Sequence, residues 1–109
     1  MMHQISQDHE PDPLITAAAL SRLFLSQHAP PPIVIGVTPR CHFVRRHIPH
    51  SHQVWRPALS QPRSALLIDA DGFTRWARRL GINADSHVVI YDERYDSARL
   101  WWTFQHYGH

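Results

Sequence analysis

Lysine is absent from the 109 residues: all 11 basic side chains are arginine, and against nine acids they leave a formal charge of only +2. So small an excess gives no electrostatic case for a nucleic-acid partner or a membrane surface. The chain holds a single cysteine, Cys41, which excludes an internal disulfide and agrees with a reducing compartment. A cytoplasmic location is therefore expected. No apolar run approaches the ~20 residues that a membrane-crossing helix needs. Residues 1–13 lack the apolar centre of a signal peptide, contain Asp8, Glu10 and Asp12, and read as a disordered leader.

Aromatic and imidazole groups are well supplied. Four tryptophans provide large area for burial, and ten histidines would make the chain distinctly cationic below pH ~6.5. The length suits one small domain. Leu14-Ile15 reads as a short edge strand. Thr16 can cap a helix from Ala17, with Leu20, Leu23 and Phe24 on its apolar stripe. Pro30-Pro31-Pro32 forms a stiff extended connector. Ile33 to Val37 is a continuous apolar run, the mark of a strand covered on both faces. Cys41 to Arg46 fits a helical turn, which Pro49 cannot continue because it lacks a donor. Gln53-Val54-Trp55 is short and strand-like, and Arg56 to Ser64 is a loop.

The second half is clearer. Asp69 caps a helix with Phe73, Trp76, Ala77 and Leu80 at i, i+3, i+4 and i+7; Arg75, Arg78 and Arg79 line its outer face and Gly81 closes it. Val88 to Tyr91 is a second covered strand. Ser97 is placed to cap a last helix, closed at Gly108, in which Leu100, Trp101, Trp102, Phe104 and Tyr107 leave little polar girth. Both tryptophans of that helix are expected in the core. The order of strands and helices argues for an α/β domain of three layers around a mostly parallel sheet.

Several stretches carry a resemblance. They are His47-Ile48-Pro49, Phe73-Thr74-Arg75-Trp76-Ala77-Arg78-Arg79-Leu80-Gly81-Ile82, Val88-Val89-Ile90-Tyr91-Asp92, Ala98-Arg99-Leu100-Trp101-Trp102 and Tyr107-Gly108-His109. In this order and spacing the chain resembles a rhodanese domain over about Leu14 to His109. It is most similar to the amino-terminal half of tandem thiosulfate or 3-mercaptopyruvate sulfurtransferases. The resemblance implies a rhodanese-like three-layer α/β/α fold that is incomplete at its carboxyl end. Past Gly-His the family adds a further strand and, in active copies, a loop led by the nucleophilic cysteine, whose persulfide is cradled by backbone amides. The family's Asp-Val-Arg at the end of a strand reads Gly36-Val37-Thr38 here. Its Gly-His-Ile-Pro-Gly-Ala reads Arg46-His47-Ile48-Pro49-His50-Ser51. Where those glycines serve positive φ or close backbone approach, Arg46 and His50 would be strained.

The implied chemistry is sparse. Sulfur transfer needs a thiolate, and an ordinary thiol with a pKa near ~8.5 is mostly protonated at neutral pH. Cys41 precedes His-Ile-Pro, far from the motif's cysteine, and reads as an ordinary loop thiol. His47 alone matches a family position with a chemical role, a relay in the mercaptopyruvate branch that reaches the partner domain's active site. The upstream carboxylate of that relay has no counterpart in Thr38 to Arg46, and the competing role for His47 is to order its turn through backbone hydrogen bonds. No catalytic residue is assigned beyond that carry-over, no cofactor is expected, and no metal site is assigned. Cys41, His42, His47, His50 and His52 include zinc-binding side-chain types but match no standard ligand spacing.

Without the further strand, Val88 to Tyr91 would be an open apolar edge, prone to association. A marginal fold is expected, completed by a partner chain or by self-association through that edge. Three readings follow: a rhodanese-family chain inactive by itself, a binding module completed by a partner, and a histidine-rich metal binder.

Overall fold

The computed structural model describes residues 2–5, 14–27, 30–55, 69–92 and 96–107, with the backbone alone for 96–99. The elements in chain order are β1 (Met2–Ile5), α1 (Ala17–Leu25), β2 (Ile33–Val37), α2 (Arg40–Arg45), β3 (His52–Val54), α3 (Ala70–Arg79), β4 (Val88–Tyr91) and α4 (Asp96–His106). Sheet order is β1-β4-β2-β3. β4 runs parallel to β2, from Val88 opposite Ile33 to Tyr91 opposite Gly36. β2 runs parallel to β3, from Ile35 opposite His52 to Val37 opposite Val54.

The continuous apolar runs of β2 and β4 are explained by helices on both faces. Toward α3 and α4, Ile35, Val37, Val88 and Ile90 pack with Phe73, Trp76, Ala77, Leu100 and Phe104. On the opposite face Val34 and Val89 meet Leu20 of α1. Alternation along each strand sorts the side chains between these two layers. The larger layer is aromatic at its centre: Phe73 meets Phe104 edge-on at 5.0 Å, and Trp76 lies 5.9 Å from Phe104. Such pairs add roughly 0.5–1.5 kcal/mol beyond the area they bury.

Local signals set the helix ends. The Thr16 hydroxyl accepts from the Ala19 amide at 3.1 Å, and the Asp69 carboxylate accepts from the Gly72 amide at 2.7 Å. α3 ends in a paired closure: Gly81, at φ 80°, donates to Arg78 O, and Ile82 donates to Ala77 O. That arrangement satisfies two terminal carbonyls and turns Ile82 inward, where it is 6% exposed. Arg75, Arg78 and Arg79 face solvent, as their spacing implies.

Five expectations need correction. Residues 2–5 do not belong to a disordered leader: they form β1, antiparallel to β4, with Met2 opposite Tyr91 and Ile5 opposite Val88. Residues 6–13 lie outside the described residues. Consequently Val88–Tyr91 is not an open edge, and Val88, Val89 and Ile90 are each 0% exposed. Ile5 is 2% exposed beside Val88, and this burial holds a strand whose sequence is half polar. Leu14 makes a single antiparallel bridge to His3, on the far side of β1 from β4, rather than the strand of its own expected at Leu14-Ile15. α4 begins at Asp96, so Ser97 lies inside the helix and does not cap it. Trp102 is 53% exposed and stacked on His106, since the sheet-facing positions of α4 fall to Leu100, Thr103 and Phe104. The expected loop at Arg56–Ser64 and the closure at Gly108 lie outside the described residues.

β1 is tied down by polar contacts as well. The Trp101 indole donates to Gln4 O at 3.0 Å, and the His87 ring donates to the Gln4 side-chain oxygen at 2.9 Å. Burial holds the His3 imidazole below its ordinary value; Asp92 raises it and the amino terminus lowers it further. The docked strand therefore favours neutral His3. Its docking is strongest above the ordinary imidazole value of ~6.5 and weakens as pH falls through the lower, docked value. Amide protection of residues 2–5, followed by NMR from pH 7.5 to 5.5, is expected to fall relative to β2. In His3→Val that pH dependence should vanish; an equal pH response in the variant would contradict the assignment.

Candidate functional site

Ligands of open α/β sheets settle outside the carboxyl ends of the parallel strands. Here that edge is built by Thr38 after β2, Asp92 after β4, the short helix α2 and the turn from Arg46 to Ser51. Thr38 and Asp92 are 5% and 8% exposed. The Thr38 amide donates to Val54 O at 3.0 Å and its carbonyl accepts from the Gln53 side chain at 2.7 Å, while its hydroxyl has no partner.

One side chain fixes the turn. The Tyr91 ring lies across Gly36 on the neighbouring strand: a Cβ at Gly36 would come within 2.7 Å of Tyr91 Cζ and Oη. The missing side chain gives the ring its path. Its hydroxyl accepts from the Ile48 amide at 3.2 Å and meets Ser51 Oγ at 3.0 Å. Ser51 Oγ donates to Ile48 O at 2.6 Å, so the Tyr91 hydroxyl supplies the proton between the two oxygens. Ile48 N–H, Tyr91 Oη and Ser51 Oγ thus close a circuit back to Ile48 O. Neither hydroxyl is left poised beside a base, as a nucleophile would be.

His47 stands beside this circuit rather than in it. Its ring stacks on Phe43, with centroids 4.2 Å apart and planes at 13°, and its Nδ1 donates to Phe43 O at 2.7 Å. This bond leaves Nε2 of the neutral ring as an acceptor. Cys41 is exposed on α2. The His42 and Phe43 amides that follow it donate to Pro39 O at 3.0 and 3.1 Å. Among the described residues no group of three or more histidine, cysteine, aspartate or glutamate side chains converges as metal ligands, so Cys41, His42, His47, His50 and His52 form no such site.

Comparison with known proteins then decides the family. The rhodanese-like domain matches residues 17–109. The chain belongs to the rhodanese-like domain family. It is 37% identical over 82 residues to human (Homo sapiens) 3-mercaptopyruvate sulfurtransferase, covering 69% of this chain and 28% of that protein. The mouse (Mus musculus) 3-mercaptopyruvate sulfurtransferase is 35% identical over the same coverage. Bovine (Bos taurus) thiosulfate sulfurtransferase is 32% identical over 78 residues, 64% of this chain and 26% of that protein. The chain thus spans little more than a quarter of the length of these relatives. No solved structure matches it.

The rhodanese motif departures now have geometry. Arg46 is extended, at φ −156° and ψ 120°, a conformation open to any residue. His50, the second replaced glycine, sits at φ 66°, in the left-handed region that glycine favours. Ser51 supplies the hydroxyl that joins Tyr91 to the turn. Gly36, where the family usually carries aspartate, is required by the Tyr91 ring. Gly36, Tyr91 and Ser51 escaped the reading of the sequence because their contacts join residues far apart in the chain. The available signal was a lone glycine inside a β-branched strand, which marks close approach of another group.

A urea-unfolding series tests this circuit. Gly36→Ala should cost about 1–3 kcal/mol through overpacking, and Tyr91→Phe about 1 kcal/mol through the lost hydroxyl bonds. In the double variant the two costs should be less than additive, because both disrupt one contact set. His50→Gly should stabilise by up to ~1 kcal/mol by relieving the left-handed backbone. Additive costs, or a destabilised His50→Gly, would contradict the geometry.

Proposed function

We propose that these residues form a non-catalytic rhodanese domain, of the kind found in the amino-terminal half of tandem sulfurtransferases, without sulfur-transfer activity by itself. The observation that carries this reading is the setting of Cys41, the chain's single thiol. Sulfur transfer from thiosulfate requires a thiolate to attack the outer sulfur, break the S–S bond and release sulfite. The resulting persulfide needs inward-pointing donors to hold its charge. At Cys41 the next two amides are already committed to Pro39 O, and the thiol faces solvent. The similarity to 3-mercaptopyruvate and thiosulfate sulfurtransferases supports a place among proteins of that chemistry, with His47 and its turn serving structure. The domain's compartment on this reading is the cytoplasm, in keeping with a lone exposed thiol.

The test is direct. Purified chain is assayed with thiosulfate and cyanide, and separately with 3-mercaptopyruvate and a thiol acceptor, alongside Cys41→Ser. No turnover above the uncatalysed rate is expected from either protein, and no persulfide on Cys41 by mass spectrometry. Turnover that Cys41→Ser abolishes would overturn the proposal.

A further inference from the structure

α3 and α4 do not close on each other along their whole length. Where α3 runs into the turn before β4, a cavity of about 460 Å³, open to solvent on one side, remains between them. Its apolar wall is made by Phe73 of α3, Phe104 and Tyr107 of α4, and Ile82 of the turn. Phe73 is the hub of that wall, edge-on to Phe104 at 5.0 Å and tilted against Tyr107 at 5.1 Å. The cavity lies toward the amino end of β4, since Ile82 and Asn83 precede that strand. The turn from Arg46 to Ser51 is met at the other end of β4, by Tyr91, about 13 Å of strand away.

The polar groups at the mouth are all of one kind. Arg78 lines it as the one charged side chain among the described residues, and no described acid lines it. The Arg78 guanidinium is exposed and makes no ion pair with a described residue. Asn83 stands beside it. Its side-chain oxygen accepts from the Asp85 amide at 2.9 Å and lies 3.4 Å from Ser86 Oγ. That arrangement spends the acceptor within the turn and leaves the two N–H donors of Nδ2 for the cavity. Positive charge and hydrogen-bond donors above an aromatic wall match an anion with a flat apolar body. A bare inorganic anion would make no use of the rings, and a neutral hydrocarbon would make no use of the donors.

We propose that this cavity binds a small aromatic carboxylate, with its ring against Phe73 and Tyr107 and its carboxylate held by Arg78 and Asn83 Nδ2. A guanidinium takes both oxygens of a carboxylate through two parallel N–H···O bonds, which fixes the direction of the ligand as well as its charge. The ring gains the offset and edge-on contacts that aromatic pairs favour, beside a cluster already arranged in that way. The volume falls within the range of small-molecule sites and admits one or two fused rings. This inference is independent of whether the domain transfers sulfur.

The experiment titrates the full chain, 15N-labelled, with 2-naphthoate, and with neutral 2-naphthamide and non-aromatic cyclohexanecarboxylate as controls. Saturable shifts centred on the amides of Phe73, Ala77, Ile82 and Phe104 are expected, with NOEs from the naphthyl protons to the Phe73 ring. Both controls should bind about tenfold more weakly than 2-naphthoate, one for want of charge and the other for want of a ring. Arg78→Gln should weaken 2-naphthoate by about tenfold and leave 2-naphthamide unchanged. Asn83→Asp keeps the oxygen that accepts from the Asp85 amide and replaces the donors by a like charge, so it should also weaken 2-naphthoate by about tenfold. Arg79→Gln removes the same charge one residue away, outside the cavity lining, and should bind 2-naphthoate as the parent chain does. Absence of saturable shifts at these residues would overturn the proposal. So would equal affinity for acid and amide, full binding by Arg78→Gln or Asn83→Asp, or an equal loss in Arg79→Gln.

Discussion

The structure depends on keeping β4 paired along both of its edges. Val88, Val89 and Ile90 are 0% exposed, between α3 and α4 on one side and α1 on the other. Each such side chain is worth roughly 1.5–3 kcal/mol when fully buried, but only while the backbone that carries it is also satisfied. An unpaired edge at this position would leave amides and carbonyls beside an apolar layer, at a cost comparable to the burial of a side chain. β2 answers one edge with a parallel ladder, and β1 answers the other. The four residues of β1 therefore carry more of the fold than their composition suggests.

The same strand organises the candidate site. Because Tyr91 ends β4 opposite Gly36, its ring crosses β2 where no side chain intervenes, and its hydroxyl reaches the turn from Ile48 to Ser51. The turn tolerates His50 at positive φ because Tyr91 and Ser51 hold it from the inside. His47, stacked on Phe43 and bonded to its carbonyl, extends this order outward. The edge that could bind or react in a rhodanese domain is here drawn together by hydrogen bonds within the turn, while the buried Thr38 hydroxyl has no partner.

The parts of this arrangement that were legible in the sequence are those written in short-range patterns. β2 and β4 announced themselves as β-branched apolar runs, and α3 as a stripe of Phe73, Trp76, Ala77 and Leu80 between an Asp69 cap and Gly81. The three layers followed from the order of these elements, and the rhodanese resemblance from motifs along them. β1 was not legible, because four residues of mixed polarity followed by Asp8, Glu10 and Asp12 carry no periodicity, and its partner is more than 80 residues away. Trp102 misled for a related reason: a nearly all-apolar helix gives no polar face from which to tell the buried side from the open one. The Gly36–Tyr91–Ser51 contacts depend on register between strands, which composition does not encode.

An NMR map of cross-strand NOEs decides whether residues 2–5 pair antiparallel with β4 in solution. Contacts should link Met2 to Tyr91, His3 to Ile90, Gln4 to Val89 and Ile5 to Val88, with slow exchange for the β4 amides. Random-coil shifts for residues 2–5, together with fast exchange at Val88–Tyr91, would contradict it.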